Sequence, residues 1–422
     1  MSSLAEVAEV RLGRQRSPKN HTGLRMRPYL RAANVTWEGL DLSDVKEMNF
    51  TEAESAIYEV APGDVLVAEA SGSASEVGKA VIWRGEIDDC CFQNTVIRVR
   101  TRGPLPEFLR YYLLSEARSG RIGNASPGVG IHHIGAGRLS AWPVPLPPLN
   151  EQRRIVAAIE EQLSRLDAAE ASLATAKARA RTFHDAALEE AFMNGAPLRT
   201  IDDVASLADG PFGSNLKTSH YVAAGPRVVR LQNIGDGLFR DEKAHITQEH
   251  FDKLSKHFVV PGDVVVASLG EEAPRACLVP DWLGDAIVKA DCIRARPKSD
   301  VDAGYLMWAL NSRPVKMQAA ARIKGIGRPR LGLGGIRVLE IPLPPLEEQR
   351  RIVAKVEERL SVIDAMRTSI ERAERRSAVL RRSILERAFR GELVPQDPSD
   401  EPASVLLDRI HAARSSARPT RR

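Results

Sequence analysis

The residues of this sequence that could do chemistry are few and scattered. The cysteines are Cys90, Cys91, Cys277 and Cys292, and no Cys-x-x-Cys pair occurs among them. These spacings give no set of ligands that converges on a tetrahedral zinc ion. Buried free thiols in a reducing compartment are therefore expected. His132 and His133 are adjacent and not four residues apart on a helix, so they are not predicted to be metal ligands.

Motifs for nucleotide binding or group transfer are also missing. There is no Gly-x-Gly-x-x-Gly, and the segment from Ser73 to Ala80 lacks the first Gly and the Ser/Thr of a phosphate-binding loop. The Asn/Asp-Pro-Pro-aromatic motif of DNA methyltransferases does not occur. Asp64 and Asp263 lie in Pro-Gly-Asp segments and are interpreted as turn residues before strands. We predict no catalytic residue, no metal site and no cofactor bound by this chain.

Basic and amide side chains in glycine-containing loops are the best candidates for binding. Glycine lets backbone approach a phosphate closely, and Arg or Lys neutralises its charge. The net charge of +5 and the pI near 9.0 lean only mildly toward a polyanion, and 5% aromatic residues do not favour a large base-stacking surface. Solvated surface loops are the alternative interpretation. The candidate DNA-binding residues are Arg14, Arg16, Lys19, Arg25, Arg121, His132, His133, Asn215, Lys217, Arg322, Lys324, Arg328 and Arg330.

The elements that position these loops are duplicated. Residues 146–157 and 343–354 agree at eleven of twelve positions, at an offset of 197 residues. The segments 60–68 and 259–267 match around Pro-Gly-Asp at an offset of 199, and 28–34 weakly matches 227–233 at the same offset. The chain is therefore two tandem units followed by a short tail.

Each copy contains a long helix after its Leu-Pro-Pro-Leu segment. Neither stretch contains Pro or Gly until Gly195 and Gly391, so each helix is predicted to run for about 42 residues, or roughly 60 Å. Apolar residues at alternating steps of three and four predict a coiled coil, read as an antiparallel pair within the chain. Packing on a neighbouring domain or on another chain is the alternative. The predicted coiled-coil and subunit-docking residues are Leu166, Leu173, Phe183, Ile363, Ile370, Leu380 and Ile384.

The predicted fold class is α/β (α+β), with two mixed domains, two long antiparallel helices and an internal pseudo-two-fold repeat. Runs such as Val65–Ala68 and Val264–Ala267 predict strands, and Phe108–Leu114 and Tyr305–Leu310 predict short helices. The predicted domains are a first recognition domain (1–149), a first helix (150–195), a second recognition domain (196–346), a second helix (347–392) and a tail with a short helix (393–422).

The duplicated block resembles a known family. The Leu-Pro-Pro-Leu-x-Glu-Gln segments, the helices ending in Ala-Phe, and the ending from Ala388 to Val394 resemble the specificity subunits of type I restriction-modification systems, the HsdS family. The stretch from Leu12 to Pro18 and the Pro-Gly-Asp turns are looser matches to that family's target-recognition domains. The likeness covers essentially the whole chain. One departure is Phe192–Gly195, which replaces the Phe-Arg-Gly ending of the second copy.

This resemblance implies a non-catalytic reader of double-stranded DNA. In the family, each recognition domain reads one half of a split site, and the helices set the separation of the halves. Two modification subunits dock on the helices and bring S-adenosylmethionine, and motor-nuclease restriction subunits join for cleavage. A coiled-coil adaptor whose domains bind protein is the alternative function. Because the N-terminus lacks a signal-peptide core and no stretch approaches 18 apolar residues, a cytoplasmic location without a membrane partner is expected.

Overall fold

The computed structural model describes residues 1–126, 130–193, 195–270, 272–325 and 327–416. The chain folds as two compact units. Unit 1 contains residues 1–172 and the chain from residue 373 onward, and unit 2 contains residues 173–372. Each unit therefore combines a mixed domain with parts of both long helices. The domain boundaries inferred from the sequence remain a prediction, since these units divide the helices differently.

The α-helices and strands are numbered in chain order. The helices are α1 (Leu4–Val7), α2 (Glu52–Tyr58), α3 (Pro106–Arg118), α4 (Arg121–Asn124), α5 (Ala136–Ser140), α6 (Leu149–Phe192), α7 (Ile201–Val204), α8 (Gln248–Lys253), α9 (Ala303–Asn311), α10 (Arg313–Ala320), α11 (Gly332–Arg337), α12 (Leu346–Phe389) and α13 (Ala403–Ser416). The strands of unit 1 are β1 (Ser2–Ser3), β2 (Ala8–Leu12), β3 (Met26–Leu30), β4 (Lys46–Asn49), β5 (Val65–Ala68), β6 (Ala70–Ser71), β7 (Ala80–Ile82), β8 (Cys91–Phe92), β9 (Val96–Thr101), β10 (His132–His133) and β11 (Pro143–Val144). The strands of unit 2 are β12 (Leu198–Thr200), β13 (Ala205–Asp209), β14 (Tyr221–Val229), β15 (His245–Ile246), β16 (Phe258–Val259), β17 (Val264–Ala267), β18 (Arg275–Leu278), β19 (Ala286–Val288), β20 (Cys292–Pro297) and β21 (Glu340–Pro342).

Both units have the same sheet plan. Unit 1 has a four-stranded antiparallel sheet in the order β2-β9-β5-β7, and unit 2 has the equivalent sheet β13-β20-β17-β18. A second sheet in each unit contains one parallel pair, β3 with β8 and β14 with β19. Each unit also has a small antiparallel pair whose second strand leads into a long helix, β1 with β11 and β12 with β21. The repeat seen in the sequence is therefore a repeat of the fold.

The long helices confirm the sequence prediction closely. Helices α6 and α12 each begin one residue before the predicted start, and Gly195 and Gly391 follow their ends with φ angles of 71° and 77°. Glycine adopts such left-handed backbone without strain, so both residues act as stops. In unit 1, Asp167 and Glu170 of α6 contact Arg381 and Ser377 of α12, respectively. The residue numbers run in opposite directions, so the two helices are antiparallel.

The interface between the helices differs from the predicted seam at two positions. Ile363, Ile370 and Ile384 are buried, while Leu166 and Leu173 are half-buried. In contrast, Phe183 is 56% exposed and Leu380 is 41% exposed, so neither lies between the helices of this chain. Arg381, next to Leu380, contacts α6 instead, and the His184 side chain next to Phe183 is only 12% exposed. Phe183 and Leu380 therefore do not take part in a contact between α6 and α12 of this chain, and their predicted role in subunit docking stays a prediction.

A polar layer between α6 and α12 is formed in unit 1 by a small set of side chains. Ser377 donates a hydrogen bond to Glu170 at 2.6 Å, and Arg381 forms an ion pair with the same carboxylate at 3.0 Å. Arg381 also contacts Asp167 at 2.5 Å. A polar layer in a helix pair costs stability relative to apolar packing, but it fixes the register of the two helices.

The chain after α12 packs onto unit 1. Leu406 and Ile410 of α13 are buried in the same core as Leu4 and Val7 of α1. Arg414 donates hydrogen bonds to the backbone oxygens of Ala5 and Glu6. The sequence predicted a short helix in the tail but did not predict that this helix belongs to the first unit.

The four cysteines are free and buried, as predicted. Burial raises the pKa of the Cys90, Cys91 and Cys277 thiols to about 12, and it also raises the pKa of Cys292. These thiols are therefore protonated at neutral pH and are poor nucleophiles. Across the described ranges, no helix combines the length and the apolar character needed to cross a bilayer.

Candidate nucleic-acid interface

A buried aspartate fixes one end of the central strand in each domain. Asp64, just before β5, accepts a hydrogen bond from the Ala61 backbone N–H at 2.8 Å and binds the Arg100 guanidinium through both oxygens at 2.7 Å. The hydrogen bond to Asp64 raises the pKa of Arg100. The preceding residue, Gly63, has a φ of 91° and completes the turn. The predicted turn role of Asp64 is confirmed, and its arginine partner is additional.

Unit 2 repeats this arrangement. Asp263 accepts from the Val260 N–H at 2.9 Å and binds Arg296 at 2.7 and 2.8 Å. The side chains of both aspartates are only 1% exposed, so the carboxylates are satisfied inside the fold and not available for acid–base chemistry. The two strands are thus held in the same way in both domains.

In unit 1, the loop after β5 contacts the two candidate histidines. Strand β10 pairs with β6, which aligns His133 with Ala70. His133 Nδ1 lies 3.0 Å from a carboxylate oxygen of Glu69, and His132 Nδ1 lies 3.0 Å from the Ser126 carbonyl oxygen. The His133 side chain remains about half exposed. It is therefore held in place but still open to a ligand.

The N-terminal basic loop of unit 1 is anchored separately, by Arg14. The Arg14 guanidinium pairs with Glu54 at 2.7 Å and lies 4.9 Å from the centre of the Phe50 ring, and its side chain is only 11% exposed. The Arg14 guanidinium is thus used by contacts within the domain. Arg16 and Lys19 lie further along the loop and are exposed.

Arg25 and Arg121 are intermediate cases. Arg25 pairs with Glu52 at 3.2 Å, but both side chains are more than half exposed, and such surface pairs contribute little. Arg121 pairs with the buried Glu116, which also accepts from the Trp142 indole N–H. Its guanidinium is held near the surface in one orientation. Arg25 could contact a phosphate without loss of a strong internal interaction, whereas Arg121 would do so while keeping its pair with the buried Glu116.

In unit 2, the loop from Lys324 to Arg330 closes on itself. Backbone hydrogen bonds of 3.0 and 2.8 Å join Lys324 and Arg330 in both directions, with Gly325 at a φ of 108°. Arg328 and Arg330 pair with opposite oxygens of Asp291, at 3.0 and 2.7 Å. Arg330 also lies 4.9 Å over the Phe212 ring, which connects this loop to the one containing Asn215 and Lys217. The structure therefore brings the two candidate loops of unit 2 together.

The remaining candidates of unit 2 are exposed. Lys217, Arg322 and Lys324 have no carboxylate partner within the part of the chain that the structure describes, and the same holds for Arg16 and Lys19 of unit 1. The Arg322 guanidinium makes a backbone contact, to the Gln318 carbonyl oxygen. The Asn215 backbone carbonyl oxygen lies 2.8 Å from His250 Nε2, a contact that does not use the Asn215 amide side chain. These side chains are available to neutralise phosphates or to reach base edges.

Sequence reasoning missed the residues that hold these loops. Glu54, Glu116, Glu69 and Asp291 each bind a candidate side chain, and none was singled out. An Asp-Cys step occurs in each domain, at 89–90 and 291–292, but the two aspartates precede strands that are not equivalent, β8 and β20, so the sequence repeat gives no signal for Asp291. Both aspartates have positive φ, 56° and 68°. In the described ranges, no group of His, Cys, Asp or Glu side chains is arranged to hold a metal ion.

Comparison with protein families identifies the class of this protein. The model of the type I restriction modification DNA specificity domain matches residues 1–176 and 217–379, which is most of the chain. The chain belongs to this family. The prediction of a DNA-recognition subunit of a type I restriction-modification system, and not of a catalytic subunit, is thereby confirmed.

Individual relatives cover nearly the whole chain. The specificity subunit of the type I restriction enzyme StySPI from Salmonella potsdam is 24% identical over 414 residues, covering 92% of this chain and 89% of that protein. The EcoKI specificity subunit from Escherichia coli K12 is 23% identical, with the same coverage.

Solved structures show the same fold. The HsdS subunit from Thermoanaerobacter tengcongensis matches with a TM-score of 0.52 and 21% identity, covering 93% of this chain and 96% of that one. A chain from a study of assembly and conformational transition of the type I R-M system matches with a TM-score of 0.72 and 20% identity, covering 93% and 97%.

Proposed function

We propose that the two domains of this specificity subunit each read one half of a bipartite DNA site. The supporting observation is that the two units share the elements that support the loops but do not share the loops themselves. The sheets, the Asp64–Arg100 and Asp263–Arg296 pairs and the helix starts are repeated, whereas the candidate loops differ in sequence and in anchoring. Two domains with the same supporting elements and different loops are suited to bind the same kind of molecule, DNA, and to recognise a different base sequence each.

The exposed cations would supply affinity and the held side chains would supply specificity. Arg16, Lys19, Lys217, Arg322 and Lys324 are free to follow phosphates, a contact that carries no sequence information. Arg328, Arg330 and His133 are fixed by carboxylates, and a fixed guanidinium or imidazole is better suited to a base edge in the major groove.

We also propose that α6 and α12 set the separation of the half-sites and dock two identical modification subunits. The start of each helix is built in the same way. The Gln152 side chain accepts from the Leu105 N–H at 3.0 Å and donates to the Pro147 oxygen at 2.9 Å. The Gln349 side chain accepts from the Asp302 N–H at 2.8 Å and donates to the Pro344 oxygen at 2.9 Å. The two long helices therefore start from the same internal hydrogen bonds, and this repeated construction suits the docking of two copies of one partner along the helices.

Phe183 and Leu380 are the proposed apolar contacts for those partners. They are 197 residues apart, like the repeat, and both are exposed on the long helices. We assign these two side chains to the docking of the partners because they occupy equivalent positions in the two copies of the repeat. The docked modification subunits would carry S-adenosylmethionine and transfer the methyl group, and restriction subunits would join the complex for cleavage. All of these partners would act on DNA in the cytoplasm.

Exchange of one recognition domain tests this function. Residues 199–342 are replaced by the equivalent segment of another specificity subunit, and the chimaera is reconstituted with its modification subunits. Methylation of a DNA library is then sequenced. We expect one half of the methylated motif to change while the other half is retained. The reciprocal exchange of residues 1–145 is the matched control and should alter only the opposite half. A change in both halves with either chimaera would contradict independent reading.

A further inference from the structure

The starts of the two long helices carry the same residues but have different surroundings. Glu151, Arg154 and Ile155 of α6 correspond at the 197-residue offset to Glu348, Arg351 and Ile352 of α12. In unit 1, the start of α6 shares a core with the end of α12, and in unit 2, the start of α12 lies beside the end of α6. Each unit therefore has a groove at an equivalent place.

The groove in unit 1 is filled by the chain's own tail. Leu393 and Val394, just after α12, pack against the core cluster that contains Ile155 and Val156. Further along, the Asp400 carboxylate binds the Arg154 guanidinium at 2.6 and 3.3 Å. The filling segment is thus an apolar pair followed six residues later by a carboxylate. Ile155, next to Arg154, is only 3% exposed.

The equivalent groove in unit 2 is open. The Arg351 side chain is 75% exposed, against 34% for Arg154, and Ile352 is less buried than Ile155. The chain after α6 cannot fill it, because it enters strand β12 at Leu198, where it pairs with β21. What is left is a cavity of about 240 Å³.

The lining of this open groove shares Glu348, Arg351 and Ile352 with the repeat in unit 1, but it has additional charged side chains that unit 1 lacks at the equivalent positions. Ala187, Ala191, Ile352 and Val356 form its apolar part. Its charged part consists of the cations Arg351, Lys355 and Arg359 and the anions Glu190 and Glu348. Glu190 binds both Lys355 and Arg359, and Glu348 binds Arg351, so three cations share two carboxylates. One additional carboxylate would balance the charge.

We propose that the groove of unit 2 is a binding site for an extended segment of a partner protein with two adjacent apolar residues followed by a carboxylate. The segment binds as residues 393–400 do in unit 1, with its apolar pair over Ile352 and its carboxylate on Arg351. A second copy of this chain is not the proposed occupant. Its tail is already held in its own unit 1, where α13 buries Leu406 and Ile410. This inference goes beyond the proposed DNA-reading function and does not depend on it.

A labelled peptide tests the site on the full-length chain. The probe is a synthetic peptide of residues 391–401 with an amino-terminal fluorophore, and binding is followed by fluorescence anisotropy. We expect saturable binding at one site per chain. Arg351→Glu should weaken it by about tenfold or more, because a cation facing a carboxylate is replaced by a like charge. Arg350→Glu is the matched control, since Arg350 is exposed, pairs with Glu347 and does not line the groove.

Three further measurements determine where the peptide binds and what binds there. A peptide with a photoreactive benzophenone at position 394 should crosslink to residues 187–191 or 352–356, and not to 155–159. A peptide with Leu393→Asp and Val394→Asp should not bind. Sedimentation of the chain alone, with and without Arg351→Glu, tests for self-association through the groove.

Three results would overturn the proposal. They are absence of peptide binding, equal binding to the Arg351→Glu and wild-type chains, and a dimer of the chain that Arg351→Glu dissociates. The last result would make a second copy the occupant. Since the assay contains no DNA, its failure leaves the DNA-reading function standing, and loss of DNA binding by the chain would leave this site untouched.

Discussion

At the scale of single residues, the structure separates arginines that hold the fold from cations that are free to bind. Sequence alone treats Arg14 and Arg16 alike, because both lie in one basic loop. In the structure, Arg14 is enclosed by Glu54 and Phe50, whereas Arg16 is exposed. The carboxylate that makes this difference lies 40 residues away in the sequence. Only the fold could bring the two residues together, so no local pattern could have predicted the pairing.

The exposed lysines of unit 2 provide a prediction at this scale. Lys217→Ala and Lys324→Ala should each weaken DNA binding by the reconstituted complex about equally for all sequences. Each should lower the slope of log K against log salt by about 0.9, the value for one lost phosphate contact. Titrations across a range of salt concentrations measure this slope.

The control for these variants is Lys253→Ala. Lys253 is an exposed lysine of the same unit that already pairs with Glu249 at 2.6 Å. Its replacement should leave the salt slope unchanged. If Lys217→Ala or Lys324→Ala altered the preferred sequence but not the slope, the assignment of those lysines to phosphates would be wrong.

At the scale of secondary-structure elements, the sequence predicted most of the architecture. Consecutive prolines, the glycine stops and the three-four spacing define α6 and α12 to within a few residues, because these signals are local. The exact seam was less predictable. The placement of Glu170 and Arg381 between the helices depends on their partners across the interface, which a single-helix pattern does not contain.

The different exposure of the predicted interface residues leads to a prediction about stability. Ile363 is 7% exposed, so Ile363→Ala should lower the free energy of unfolding by about 2–4 kcal/mol through lost burial and a residual cavity. Phe183→Ala should change it by less than about 0.5 kcal/mol, because the ring is exposed in this chain. Denaturant unfolding of both variants gives the comparison. An equal decrease in the free energy of unfolding for both variants would mean that Phe183 packs inside the chain, and would contradict this assignment.

The length of the two helices should determine the gap between the two halves of the DNA site. Deletion of residues 169–175 together with 372–378 removes seven residues from each helix and preserves the three-four phase. Each helix then shortens by about 10 Å, equivalent to about three base pairs. We expect the gap between the methylated half-sites to shorten while both half-site sequences are retained. Single deletions, which shift one helix against the other, serve as controls and should abolish activity. An unchanged gap in the paired deletion would argue against a spacing role.

At the scale of the whole molecule, duplication accounts for both the similarities and the differences between the units. The repeated parts are those that shape the frame, such as Asp64 and Asp263 in their turns and Gln152 and Gln349 at the helix starts. The unmatched parts are the loops and the tail. The role of the tail was not predictable, because the packing of Leu406 and Ile410 on α1 joins segments from opposite ends of the sequence.

The methylation pattern of the host genome, with and without this gene, tests the central claim most directly. If this chain is the reader of a bipartite site, single-molecule sequencing should find one methylated motif of two short halves separated by a fixed gap. That motif should disappear on deletion of the gene and return on complementation. Retention of every methylated motif after deletion, or loss of a motif that is continuous and undivided, would contradict the account.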